Sequence, residues 1–116
     1  MSYDVYLEVG FKPSDKANSH RSDLVTVFDG NHTSNTGGMI RKALGGRHIS
    51  ELNGKIAKDE IRNVRSAITD LIRNRVEYAK DNPPNGWGSI DTTIAFMRAI
   101  YKAMCINNLA IIRVSY

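Results

Sequence analysis

Lys58-Asp59-Glu60-Ile61-Arg62-Asn63-Val64-Arg65-Ser66-Ala67-Ile68-Thr69-Asp70-Leu71-Ile72 sets its apolar residues at helical spacing, with Ile61, Val64, Ile68, Leu71 and Ile72 on one face. An apolar stripe on an otherwise charged run predicts an amphipathic helix over 58–80. Asp59 and Glu60 fall in its first turn and Lys80 in its last, as the helix dipole favours. Two prolines and two glycines in Asp81-Asn82-Pro83-Pro84-Asn85-Gly86-Trp87-Gly88 must stop it. Ser89 then caps a second long helix, with Asp91 in its first turn and Ile90, Ile94, Met97, Ile100, Tyr101, Met104 and Cys105 on its apolar side, up to Asn107-Asn108. Two such helices joined by a short turn pack antiparallel, and their apolar faces need something to cover.

The rest of the chain supplies it. Tyr3, Val5, Leu7 and Val9 alternate with Asp4, Tyr6 and Glu8, the period of a half-buried strand that Gly10 ends. Residues 11–23 have no usable periodicity and are expected to form a surface loop. Leu24-Val25-Thr26-Val27-Phe28 is a second strand, and Asp29-Gly30 after it is a turn signal. Met39, Ile40, Ala43 and Leu44 predict a short helix capped by Asn35 or Thr36 and stopped by Gly45-Gly46. Residues 47–55 fit either one more helical turn or an irregular anchor through Ile49, Leu52 and Ile56. Residues 109–116 are a third strand, expected to return beside the first. The order β-β-α-α-α-β predicts an α+β fold: a small, mainly antiparallel sheet of about three strands, covered on one face by two long antiparallel helices. With 116 residues, 41% of them hydrophobic, the expectation is a single domain over 1–116.

Sixteen basic residues against 12 acidic give a charge of +4 that is spread along the chain. That suits an anionic partner. Nucleic acid is compatible with it but not indicated, since no basic cluster with interleaved aromatics appears. One cysteine forms no internal disulfide, the first residues carry no basic-then-apolar leader, and no run approaches the roughly 18 apolar residues that span a bilayer. A cytoplasmic protein without a membrane partner is expected. His20, His32, His48 and Cys105 lack the short ligand spacings of metal sites, and no cofactor is implied. No nucleophile elbow or carboxylate couple asks for an enzyme.

Ligand chemistry concentrates in Asp29-Gly30-Asn31-His32-Thr33-Ser34-Asn35-Thr36-Gly37-Gly38. Neither a Walker loop nor a dinucleotide fingerprint fits its glycine spacing. What remains is a polar segment leading into a helix, backed by Arg41 and Lys42. The turn around Trp87, the only tryptophan, sets an aromatic plane between glycines. Asn31, His32, Thr33, Asn35, Arg41, Asn85 and Trp87 are therefore the expected lining of one pocket for a small anionic or nucleotide-like ligand. The plainer alternatives are that the polar residues only satisfy turns and a cap, and that Trp87 is a lid on the core. Lys58, Arg62, Arg65 and Arg73 form a basic stripe on the first long helix, either solvated or bound to a protein. Arg75 projects into the apolar arc, either snorkelling or ion-paired. Cys105 is expected in the core. Sheet edges, with Ala95, Ala99 and Ala103 on the second long helix, suggest a homodimer.

Ser2-Tyr3-Asp4-Val5-Tyr6-Leu7, Asn31-His32-Thr33-Ser34-Asn35 followed by Met39-Ile40-Arg41-Lys42-Ala43-Leu44, Leu52-Asn53-Gly54, and Asn82-Pro83-Pro84-Asn85-Gly86-Trp87-Gly88 together resemble a family of small uncharacterised bacterial and phage or prophage proteins. The similarity spans nearly the whole chain. It implies a phage or prophage accessory protein in the host cytoplasm that acts by stoichiometric binding. The partner is then a small ligand or, alternatively, a host defence protein inhibited through the basic helix and Trp87; an unassigned hydrolase or transferase is the third reading.

Overall fold

The computed structural model describes residues 2–10 and 24–115. The loop expected over 11–23, His20 with it, lies outside the described residues. Strand β1 (Ser2–Gly10) is the centre of a three-stranded antiparallel sheet, with β2 (Leu24–Thr33) on one side and β3 (Ile111–Ser115) on the other. The last strand does return beside the first. Tyr3, Val5 and Leu7 are buried, and the register aligns Val5 with Gly30 and Val114, and Leu7 with Phe28 and Ile112, so that one face of the sheet is apolar.

The second strand is twice the length read from its β-branched core. Asp29-Gly30 makes no turn: Asp29 pairs with Tyr6 and Gly30 with Val5, and the strand runs on to Thr33. Gly30 is there for space. A Cβ on it would stand 3.0 Å from Phe28 Cζ and 3.5 Å from Phe96 Cε1, so the missing side chain lets two aromatic rings close over the sheet.

A 3-10 turn (Ser34–Thr36) leads from β2 into α1 (Gly37–Ala43), which ends at Gly45 and Gly46 with φ of 72° and 96°. Thr36 occupies the cap position without a side-chain cap bond, so neither Asn35 nor Thr36 caps the helix as expected. Ile49–Leu52 forms a second 3-10 turn that buries Ile49 and Leu52. The chain then runs along β3: Gly54 N–H donates to Ile112 O at 2.7 Å and Ile112 N–H to Lys55 O at 2.8 Å. The outer edge of β3 is thereby covered, leaving β2 as the open edge of the sheet among the described residues.

Helices α2 (Ala57–Arg73) and α4 (Ile90–Ile106) lie antiparallel. Lys58 N–H reaches Asn108 O at 2.8 Å, tying the start of α2 to the end of α4, while Arg75 beyond the end of α2 meets Asp91 at the start of α4. Val64, Ala67, Ile68 and Leu71 from α2, and Ile90, Phe96, Met97, Ile100 and Met104 from α4, join the apolar side of the sheet in one core.

Three further expectations fail, two of them for one reason. The helix read over 58–80 breaks at Asn74 (φ −109°, ψ 32°), and α3 (Arg75–Ala79) follows. The Asn74 amide donates to Asp70 Oδ1 at 2.8 Å and to its carbonyl at 3.3 Å, a local bond that competes with the helical ladder. The changed phase takes Arg75 out of the apolar arc into an exposed ion pair with Asp91, and it buries Tyr78 with its hydroxyl donating to the Asp70 carboxylate. Ile72 is on the edge of the α2 stripe and half exposed. Cys105 is exposed rather than in the core, because it lies one residue, about 100°, beyond Met104. Of the three alanines, Ala103 is buried while Ala95 and Ala99 face outward. No helix of the described residues is long and apolar enough to cross a membrane.

Candidate functional site

At one end of the sheet, Ser2 of β1, Asn31, His32 and Thr33 of β2, Asn35 of the 3-10 turn, and Asn85 and Trp87 of the turn before α4 line a single cleft of about 600 Å³. Six of the seven expected site residues thus come together. Arg41 is the exception. It lies in the last turn of α1 and its Nε donates to Gly46 O at 3.0 Å, so it closes the helix end instead of lining the cleft. Ser2 was not foreseen, because only the β1–β2 register, which pairs Ser2 with Thr33, places it there.

The turn that carries Trp87 is held by its own side chains. Gly86 N–H returns to Pro83 O at 3.2 Å, Trp87 N–H donates to Asn85 Oδ1 at 2.9 Å, and Asn82 Oδ1 accepts from Ile90 N–H at 2.8 Å. Ser89 and Thr92 complete a capping box on α4. Trp87 therefore points outward, 68% exposed, and is no lid on the core. Gly88, with φ 94°, brings the turn onto the other wall: a Cβ there would stand 2.6 Å from Thr33 Cγ2 and 2.9 Å from Thr36 Cγ2. Gly88→Ala is accordingly expected to cost about 1–3 kcal/mol from the left-handed backbone and the clash together, and to move Trp87 away from Asn35. Denaturant unfolding checks the first effect and a shifted tryptophan emission the second.

His32 is the buried member. Its ring stacks on Phe96 at 4.8 Å between centroids, and its Nε2 lies 3.4 Å from Thr93 Oγ1. The Thr93 hydroxyl gives its proton to Ser89 O at 2.7 Å, so it accepts from His32, which assigns the proton to Nε2 and a lone pair to Nδ1. No buried side-chain nitrogen or oxygen among the described residues lacks a partner, so Nδ1 is reached by solvent. Thr93 is fully buried and its proton is spent on the helix, so this pair is no nucleophile with its base.

Burial lowers the His32 pKa below its usual value, and the ring is neutral at pH 7. The unfolded chain then takes up a proton near pH 6.5 that the folded chain refuses. The associated stability is present above that pH and lost as pH falls towards the folded pKa. Unfolding midpoints are expected to drop as pH falls below about 6.5 in the parent protein, and His32→Gln is expected to flatten that part of the profile.

The remaining polar groups differ in how much bonding capacity they have left. Asn31 Nδ2 donates to Asp4 Oδ1 at 2.7 Å and to Ser2 Oγ at 3.1 Å, which leaves its carbonyl oxygen. Asn85 spends its oxygen on Trp87 N–H and keeps its Nδ2 donors. Thr33 Oγ1 accepts from Asn35 N–H at 3.3 Å, whereas the exposed Asn35 amide bonds to nothing in the described protein. Among the described residues, the lining thus offers donors, acceptors and one exposed aromatic plane, and none of its side chains is charged. Comparisons of the chain with protein-family models, curated proteins and solved structures gave no match.

Proposed function

We propose that the protein acts by stoichiometric binding of a small nucleotide-like ligand in this cleft, the ring stacked on Trp87 and its polar edge held by Asn35, Asn85 and His32. One observation carries the reading: an indole 68% exposed shares a cleft with an Asn35 amide that bonds to no described residue. Base–aromatic stacking is sequence-tolerant and strong enough to anchor a ring, and amides set around it read the donors and acceptors of its edge. Neutral His32 contributes an acceptor at Nδ1. Because the described lining residues are uncharged and Arg41 lies elsewhere, recognition rests on the ring and its edge, and any phosphate stays in solvent.

The setting proposed is that of a phage- or prophage-type accessory protein. Asn31-His32-Thr33-Ser34-Asn35 and Asn85-Gly86-Trp87-Gly88, the most specific pieces of that resemblance, contribute both walls of the cleft. No turnover is proposed. Since Trp87 is the only tryptophan, its emission reports directly on occupancy. Titration with nucleosides and the matching nucleotides is expected to give saturable quenching at one molecule per chain, nearly equal with and without phosphate. Quenching that needs the phosphate, or none with any base, overturns the reading.

A further inference from the structure

Away from the cleft, α2 and α4 present a groove of about 500 Å³ lined by Arg65, Ile68, Thr69, Ile72, Arg98, Ala99, Tyr101 and Lys102. Its floor is apolar: Ile72 is 50% exposed and Ala99 faces outward. Its rim is basic. The ion pairs of the described residues are Arg47–Glu60, Arg75–Asp91, Lys80–Glu77 and Arg113–Glu8, so Arg65, Arg98 and Lys102 have no carboxylate partner. Neither do Arg62 and Arg73, which extend the positive surface along α2. Asp70, which shares a surface with Arg62, Arg65 and Arg73, already accepts from Tyr78 and Asn74.

We propose that this groove docks an acidic amphipathic helix of a partner protein, its apolar stripe on Ile72 and Ala99 and its flanking carboxylates on Arg65, Arg98 and Lys102. Charge complementarity selects the occupant. Unpaired arginines on both walls of a groove suit carboxylates at the two margins of a helix, and the guanidinium fork binds them bidentately. A second copy of this chain would set the same cations against each other. A nucleic-acid backbone satisfies the arginines but has nothing to lay on exposed isoleucine, so it is disfavoured by the floor. The surface is separate from the Trp87 cleft in its lining residues, and its test is separate too.

The probe is a synthetic helix of about 18 residues, matched to the length of α4, with leucines at helical spacing on one face and glutamates beside them, followed by fluorescence anisotropy. Saturable, salt-sensitive binding is expected. Ile72→Ser is expected to weaken it about tenfold and the Arg65→Glu/Arg98→Glu pair by more, while Trp87→Ala leaves it unchanged. Ile72, Arg65 and Arg98 are all exposed, so these variants keep the fold, which circular dichroism checks. Absence of saturable binding, binding indifferent to Ile72→Ser, or a DNA duplex bound as tightly as the peptide overturns the proposal.

Discussion

Leu71→Ala is expected to destabilise the protein by about 2–5 kcal/mol, the usual cost of emptying a fully buried leucine site. Leu71 is 0% exposed and projects from α2 into the core shared with α4. Its neighbour Ile72 is the control: half in solvent, it leaves little cavity when truncated, and Ile72→Ala is expected to change stability by less than about 1 kcal/mol. The pair of values, from urea unfolding monitored by circular dichroism, fixes the rotation of α2 on the sheet. Equal losses at the two positions mean that the helix is turned away from the orientation described.

Trp87→Ala is expected to weaken ligand binding by about 5- to 150-fold, the worth of one base stacked on one aromatic side chain, with little effect on stability. The indole is 68% exposed and outside the core cluster. Asn35→Ala is expected to act in the same direction, again with the melting temperature nearly unchanged, because its exposed side chain caps no helix and bonds to no described residue. Calorimetric titration of both variants with the ligand of the parent protein checks this. A fall in stability that matches the fall in affinity would assign these residues to the fold rather than to the cleft.

Periodicity carried the fold. The apolar stripes of α2 and α4, the alternation in β1 and the glycines after α1 each report a local energetic preference, and each element is found near its expected place. Local patterns failed where a distant neighbour decides the outcome. Gly30 looks like a turn residue in isolation and becomes a strand residue because Phe28 and Phe96 fill the space above it. Asn74 breaks a helix by bonding Asp70, and nothing in the apolar pattern announces that bond. The cleft was legible as two polar, glycine-containing segments, but their meeting depends on Gly88 resting against Thr33 and Thr36. Arg41 was drawn into the site by proximity in sequence alone; at the far turn of α1 its guanidinium belongs to the helix terminus.

The most direct test of the ligand-binding account is to incubate the purified protein with bacterial or phage-infected lysate, re-isolate it, release bound small molecules by heat and identify them by mass spectrometry. A ring-bearing, nucleotide-like compound is expected at about one molecule per chain from the parent protein and in clearly smaller amount from Trp87→Ala. Release of no small molecule, or of the same compound in equal amount from Trp87→Ala, contradicts it.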